Sequence, residues 1–168
     1  IPLMITIFGV MFFFMFKVLT YETSAPEDYL TDVQIGSATK RWQAAYELSK
    51  LLSNAEMVPT DKDFKNKMIS IYEHSIHDDP MVRTYMALAM GRTGQGEYGS
   101  ILMDGINDKD KGSRLAAIKA LGLLEYAPAV KGIQEFTAEK YSDAERLAAT
   151  IALGNMGDKS LIPIFKKL

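Results

Sequence analysis

The hydrophobic pattern divides the chain into two unlike regions. Residues 1–16, IPLMITIFGVMFFFMF, carry no charge and have Thr6 as their one polar side chain, and Lys17, Val18 and Leu19 complete the run. At about 1.5 Å per residue such a helix rises about 28 Å, close to the ~30 Å hydrocarbon core of a bilayer. The pattern therefore predicts one transmembrane helix over residues 1–20, with Ile5, Phe8, Phe12, Phe13 and Phe16 as anchoring side chains. Lys17 reaches the headgroups along its own stem, and Tyr21 suits the interface. A signal peptide would place small residues at a cleavage point after the apolar core, and none stands there. A buried core helix is the other reading of the same run. The start at Ile1, with Pro2 in a first-turn position, leads us to expect further residues, basic ones among them, before it. On the other flank, residues 21–32 hold Glu22, Glu27, Asp28 and Asp32 and no base. That distribution places the rest of the chain on the periplasmic, extracytoplasmic side, although Lys17 pulls the other way.

From residue 21 onward the apolar positions recur with helical spacing inside a longer repeat. Four segments align on an arginine: Arg41 (RWQAAYELS), Arg83 (RTYMALAMG), Arg114 (RLAAIKALG) and Arg146 (RLAATIALG), standing 42, 31 and 32 residues apart. Four residues before each arginine is a good helix-capping residue, Ser37, Asp79, Asp110 or Ser142. Pro80 follows Asp79 at the first helical position, where a missing N–H is harmless. Three and seven residues after the arginine stand Ala44/Leu48, Met86/Met90, Ala117/Leu121 and Ala149/Leu153, which share one helix face. The Ser or Gly eight residues on marks either a last turn or a close helix contact. Gly94 and Gly157 are predicted helix stops. Between these helices the pattern predicts partner helices at about 26–35, 62–75, 98–107, 127–138 and 160–168, and no strands.

Composition narrows the chemistry. The 168 residues carry 19 Lys+Arg against 21 Asp+Glu, so phosphate-driven nucleic-acid binding is not expected. There is no cysteine, which excludes disulfides, thiolate metal sites and thiol nucleophiles. Glu73, His74, His77, Asp78 and Asp79 form the most suggestive titratable cluster, but they stand at a predicted helix end where histidine complements the dipole. Asp104, Asp108 and Asp110 lack the bidentate Glu of a calcium loop and read as a solvated loop. The glycines of GQGEYG (94–99) follow a helix and not a strand, so they have no basis for cradling a pyrophosphate. No cofactor, metal or small-molecule substrate is expected, and no enzyme motif is present.

The arginine, alanine-pair and Ala-Leu-Gly segments resemble HEAT repeats, especially the short bacterial type, over about residues 26–168. The match is sharpest at Arg114–Gly122 and Arg146–Gly154 and weakest at Arg41–Ser49, where Trp42, Tyr46 and an insertion near 54–62 break the phase. The resemblance implies an all-α superhelix of about four helical pairs over residues 21–168, preceded by the transmembrane helix. It implies a non-catalytic scaffold, an accessory subunit whose partners are integral membrane proteins and the lipid bilayer. An ABC transporter of the lipoprotein-export type is one admissible host, and a respiratory or other energy-transducing complex is equally admissible. In HEAT repeats such arginines form a ladder with acids of the neighbouring unit. Alternatively they make a basic strip for an acidic partner, and on that reading Trp42, Arg83, Tyr85, Arg114, Lys119 and Arg146 are the candidate partner-binding residues. A self-contained ligand-binding or sensory module, and more remotely a HEAT-like lyase, are the competing readings.

Overall fold

In the computed structural model, the described backbone covers residues 2–19, 25–75 and 79–157, with side chains described from residue 3 to 16 in the first helix. Every regular element among these residues is helical. The helices are α1 (Pro2–Leu19), α2 (Pro26–Ile35), α3 (Ala38–Leu51), α4 (Lys62–His74), α5 (Pro80–Arg92), α6 (Gly99–Gly105), α7 (Lys111–Leu123), α8 (Val130–Gln134) and α9 (Asp143–Asn155).

Each arginine-bearing helix starts where the capping residue predicts. Asp79 accepts from the Met81 amide, and Asp110 from the Ser113 amide at 2.7 Å. Before α9 the cap is built differently: Glu145 turns back to accept from both the amide and the hydroxyl of Ser142. Both predicted stops hold. Gly94 and Gly157 adopt φ of 68° and 70°, the left-handed conformation that ends a helix without a Cβ penalty. Glu125, at the equivalent place after α7, takes φ 49° with a side chain present.

The long helices α3, α5, α7 and α9 form one layer, each packed on the next, and α2, α4, α6 and α8 back them as pair partners. This makes four helical pairs among the described residues. The eight positions at offsets three and seven are all buried, and they supply the centre of the core together with Leu30, Met68, Leu102 and Ile133 from the backing layer.

Of the backing helices, α2 and α4 keep the expected bounds, whereas the next two depart from the sequence expectation. The stretch at 127–138 is a 3-10 turn (Ala127–Ala129), the short α8 and a second 3-10 turn (Glu135–Thr137), with Pro128 denying an amide at the start. The stretch at 98–107 shortens to α6, preceded by a 3-10 turn at Gly96–Tyr98. Gly99 allows the Tyr126 ring to lie where a Cβ would stand, so the GQGEYG glycines serve turn and packing. The expected helix at 160–168 lies outside the described residues.

Among the described side chains of α1, residues 3–16, none is buried, and the apolar ones from Leu3 to Phe16 are all exposed. Among the described residues no helix is long and apolar enough to cross a membrane. The stretch of α1 whose side chains are described, 3–16, rises only about 21 Å, short of a ~30 Å core. The expected transmembrane helix is thus not established on these residues.

Candidate partner-binding face

Three of the four repeated arginines are tied to backbone carbonyls near the ends of the preceding helices. Arg41 donates from Nε to the Val33 carbonyl at 2.7 Å, Arg83 from Nη1 to the Ser75 carbonyl at 2.7 Å, and Arg114 from Nη1 to the Asp108 carbonyl at 2.6 Å. Each satisfies a carbonyl at or beyond the end of the preceding helix, where backbone acceptors lack helical partners. Two of them also reach an acid of the next unit. Arg83 pairs with Asp108 through Nε and through Nη2 at 3.0 Å, and Arg114 pairs with Glu145 through Nε at 2.9 Å and through Nη2. Two hydrogen bonds from Ser142, reinforced by Arg114, hold the Glu145 carboxyl down at about 2. This is the ladder of neighbouring-unit acids. Asp108, expected in a solvated loop, is instead a rung: its side chain is 11% exposed and also accepts from the Asp110 amide.

The ladder determines what the candidate residues present outward. Arg83 is buried at 6% exposure, and Arg114 is half-buried with its guanidinium engaged. Arg146 is exposed and, among the described residues, its guanidinium pairs with Asp143 of its own helix at 3.5 Å. Trp42 is half-buried against the core, and Tyr85 packs edge-on to Tyr46 with ring centroids 5.1 Å apart. Lys40, which would extend a basic strip, is paired with Asp32. The four arginines therefore do not line up as one cationic surface.

Close helix approach is built from the small residues eight after each arginine. A Cβ on Gly91 would lie 2.5 Å from the Cα of Ala120, and one on Gly122 would lie 2.6 Å from the Cα of Ala152. Each glycine thus seats the alanine six residues after the next arginine. Gly154 occupies the same register, yet among the described residues nothing lies within 4 Å of its Cβ position.

With offsets three, six, seven and eight turned inward, offsets five and nine of the long helices form a common outer face. On α5, α7 and α9 these are Leu88 and Arg92, Lys119 and Leu123, Ile151 and Asn155, and they line a groove of about 370 Å³ floored by Ala148 and Ala152. Leu123 is 49% and Ile151 54% exposed, a large apolar area to leave in water. Arg92 is fixed at the groove wall by donating from Nη1 to the Ser49 carbonyl at 2.7 Å and to its hydroxyl. Lys119 is exposed and meets no carboxylate among the described residues. Among the described residues no acid lines the groove. Of the sequence-predicted partner residues, Lys119 alone lies in it; Leu88, Arg92, Leu123 and Ile151 were missed.

His74 of the titratable cluster donates from Nδ1 to the Ser70 carbonyl one turn back, and His77 and Asp78 lie outside the described residues. Among the described residues no three His, Asp or Glu side chains gather as metal ligands do.

Residues 66–154 match the family model of HEAT repeats, over half of the chain. The chain belongs to the HEAT-repeat family. The match begins inside α4, past the bulky first repeat and its insertion. No curated protein matches the chain.

Proposed function

We propose that the protein is a non-catalytic scaffold held at a membrane by α1, which docks a protein partner on the outer face of α5, α7 and α9 as an accessory subunit of a larger membrane complex. The observation that carries this reading is the coexistence, in one chain, of a helix with exposed apolar side chains from Leu3 to Phe16 and a helical array with an open groove. Twelve large apolar side chains of α1 are exposed. At roughly 1.5–3 kcal/mol for each such side chain removed from water, lipid contact is worth on the order of 20 kcal/mol. The helix is apolar all round and not on one side only, which favours spanning over lying at the surface. Its whole length of 18 residues rises about 27 Å. The Thr6 hydroxyl donates a hydrogen bond to the Leu3 carbonyl of the same helix, which lowers the cost of placing it in lipid. The absence of Lys and Arg from residues 21–32 supports an extracytoplasmic array in this reading, while Lys17 argues the other way.

An array of stacked helix pairs offers an extended face for another protein and no enclosed reaction chamber. A tether then confines the search to the membrane plane and raises the effective concentration of a partner embedded there. An ABC transporter of the lipoprotein-export type is the host suggested by likeness to membrane-anchored bacterial HEAT proteins. The test is purification of the full chain from its own membranes in mild detergent. The scaffold reading expects an integral membrane protein at fixed stoichiometry, lost on Lys119→Glu; a monomer without a protein partner, or one carrying a small molecule, overturns it.

A further inference from the structure

We infer that the groove across α5, α7 and α9 takes an amphipathic helix of the partner, about three to four turns long, with an apolar stripe flanked by carboxylates. The inference rests on the scaffold reading and names what the scaffold holds. Its size follows from the floor: three parallel-packed helices at ~9 Å spacing set a groove about 18–20 Å long, which 12 to 13 helical residues cross at ~1.5 Å each.

The chemistry of the walls selects the conformation. Leu88, Leu123 and Ile151 are apolar, and the polar atoms available come from Arg92, Lys119 and Asn155 side chains. An extended peptide laid there would leave most of its backbone N–H and C=O groups facing hydrocarbon, at a cost of about 1–3 kcal/mol for each unpaired group. A helix satisfies its own backbone and offers only side chains to the groove. Charge selects the flanks. Arg92 is held in place by Ser49, and Lys119 stands free of any carboxylate among the described residues, with no acid in the lining to oppose an incoming one. A partner acid at these two positions gains attraction without having to break an existing pair. Basic flanks would meet two cations of like sign.

The experiment uses the full chain in nanodiscs of zwitterionic phosphatidylcholine and a fluorescein-labelled synthetic helix of about 15 residues, with a Leu/Ala stripe flanked by Glu. A second peptide replaces every Glu by Lys. Saturable anisotropy change is expected for the Glu peptide alone, weakened about tenfold, or ~1.4 kcal/mol, by Lys119→Glu and similarly by Leu123→Asp. Both positions are exposed, so unaltered thermal melts accompany the loss; Lys119→Met repeats the test without adding an acid. The inference is overturned if the Glu peptide fails to saturate by about 1 mM, if the Lys peptide binds equally, or if neither Lys119 variant weakens binding. A chain that elutes apart from the discs before peptide is added speaks against the anchor. Peptide binding that fails in loaded discs speaks against the groove alone.

Discussion

Replacing Gly122 by alanine isolates the contact that sets the helix spacing of the array. The new Cβ would sit 2.6 Å from the Cα and 2.7 Å from the Cβ of Ala152, where carbon atoms pack at ~3.5–4.0 Å. Backbone atoms cannot step aside as a flexible side chain does, so α7 and α9 must part by about 1 Å. A gap of that size forfeits a quarter to a half of each dispersion contact it opens, and overpacking of this kind costs ~1–3 kcal/mol. Alanine returns up to ~1 kcal/mol of helix propensity. The net expectation is a loss of about 1–2 kcal/mol. Gly154→Ala is the internal control, since it makes the same change in the same register where no atom of the described residues lies within 4 Å of the new Cβ. It should be neutral or stabilise by up to ~1 kcal/mol. Urea unfolding followed by circular dichroism measures both as shifts in midpoint at constant slope. Midpoints moving in the same direction for the two variants would refute the idea that glycine at this offset is a seat for the next helix.

Three further outcomes follow from the ladder and the helix ends. Glu125→Gly removes a Cβ from a left-handed position filled by glycine after α5 and α9, and should raise stability by ~1 kcal/mol, read as a higher Tm. Glu145 has its folded pKa lowered from 4.5 to about 2, so its contribution is complete above about pH 4.5 and fades as pH falls toward 2. Acid titration of the urea midpoint should show this decline, and Glu145→Gln should flatten it over that window. Arg83→Ala, which strands Asp108 in a half-buried site, should cost about 3–5 kcal/mol. Arg146→Ala, at an exposed pair, should stay within about 0.5 kcal/mol; equal losses from the two would remove the ladder as the source of the difference.

What the sequence reveals depends on whether a feature keeps a constant offset from the repeated arginine. The caps at minus four, the core pair at plus three and plus seven and the two glycine stops do so, and they were legible; the plus-eight position was legible only as a last turn or a close contact, and it is a close contact at Gly91 and Gly122. The acids of the ladder do not. Asp108 stands six residues before Arg114 while Glu145 stands one before Arg146, so no periodic search brings them together, and Asp108 reads as loop. The groove was illegible for a related reason. Offsets five and nine hold leucine with arginine, then lysine with leucine, then isoleucine with asparagine, a constant place filled by changing chemistry. Of the backing helices, α6 and α8 are short because Gly99 makes room for the Tyr126 ring and Pro128 lacks the amide that a longer helix needs.

The central claim is that a helical array stands beside a membrane into which α1 is inserted, and α1 is where it is tested most directly. The absence of cysteine allows a single nitroxide label at Phe12→Cys of the full chain reconstituted in vesicles, with Lys119→Cys as the reference in water. The account predicts that Phe12→Cys is relaxed by oxygen and shielded from a water-soluble nickel chelate, and that Lys119→Cys shows the reverse. Nickel access at position 12, or shielding of that position from both reagents as inside a protein core, would contradict it.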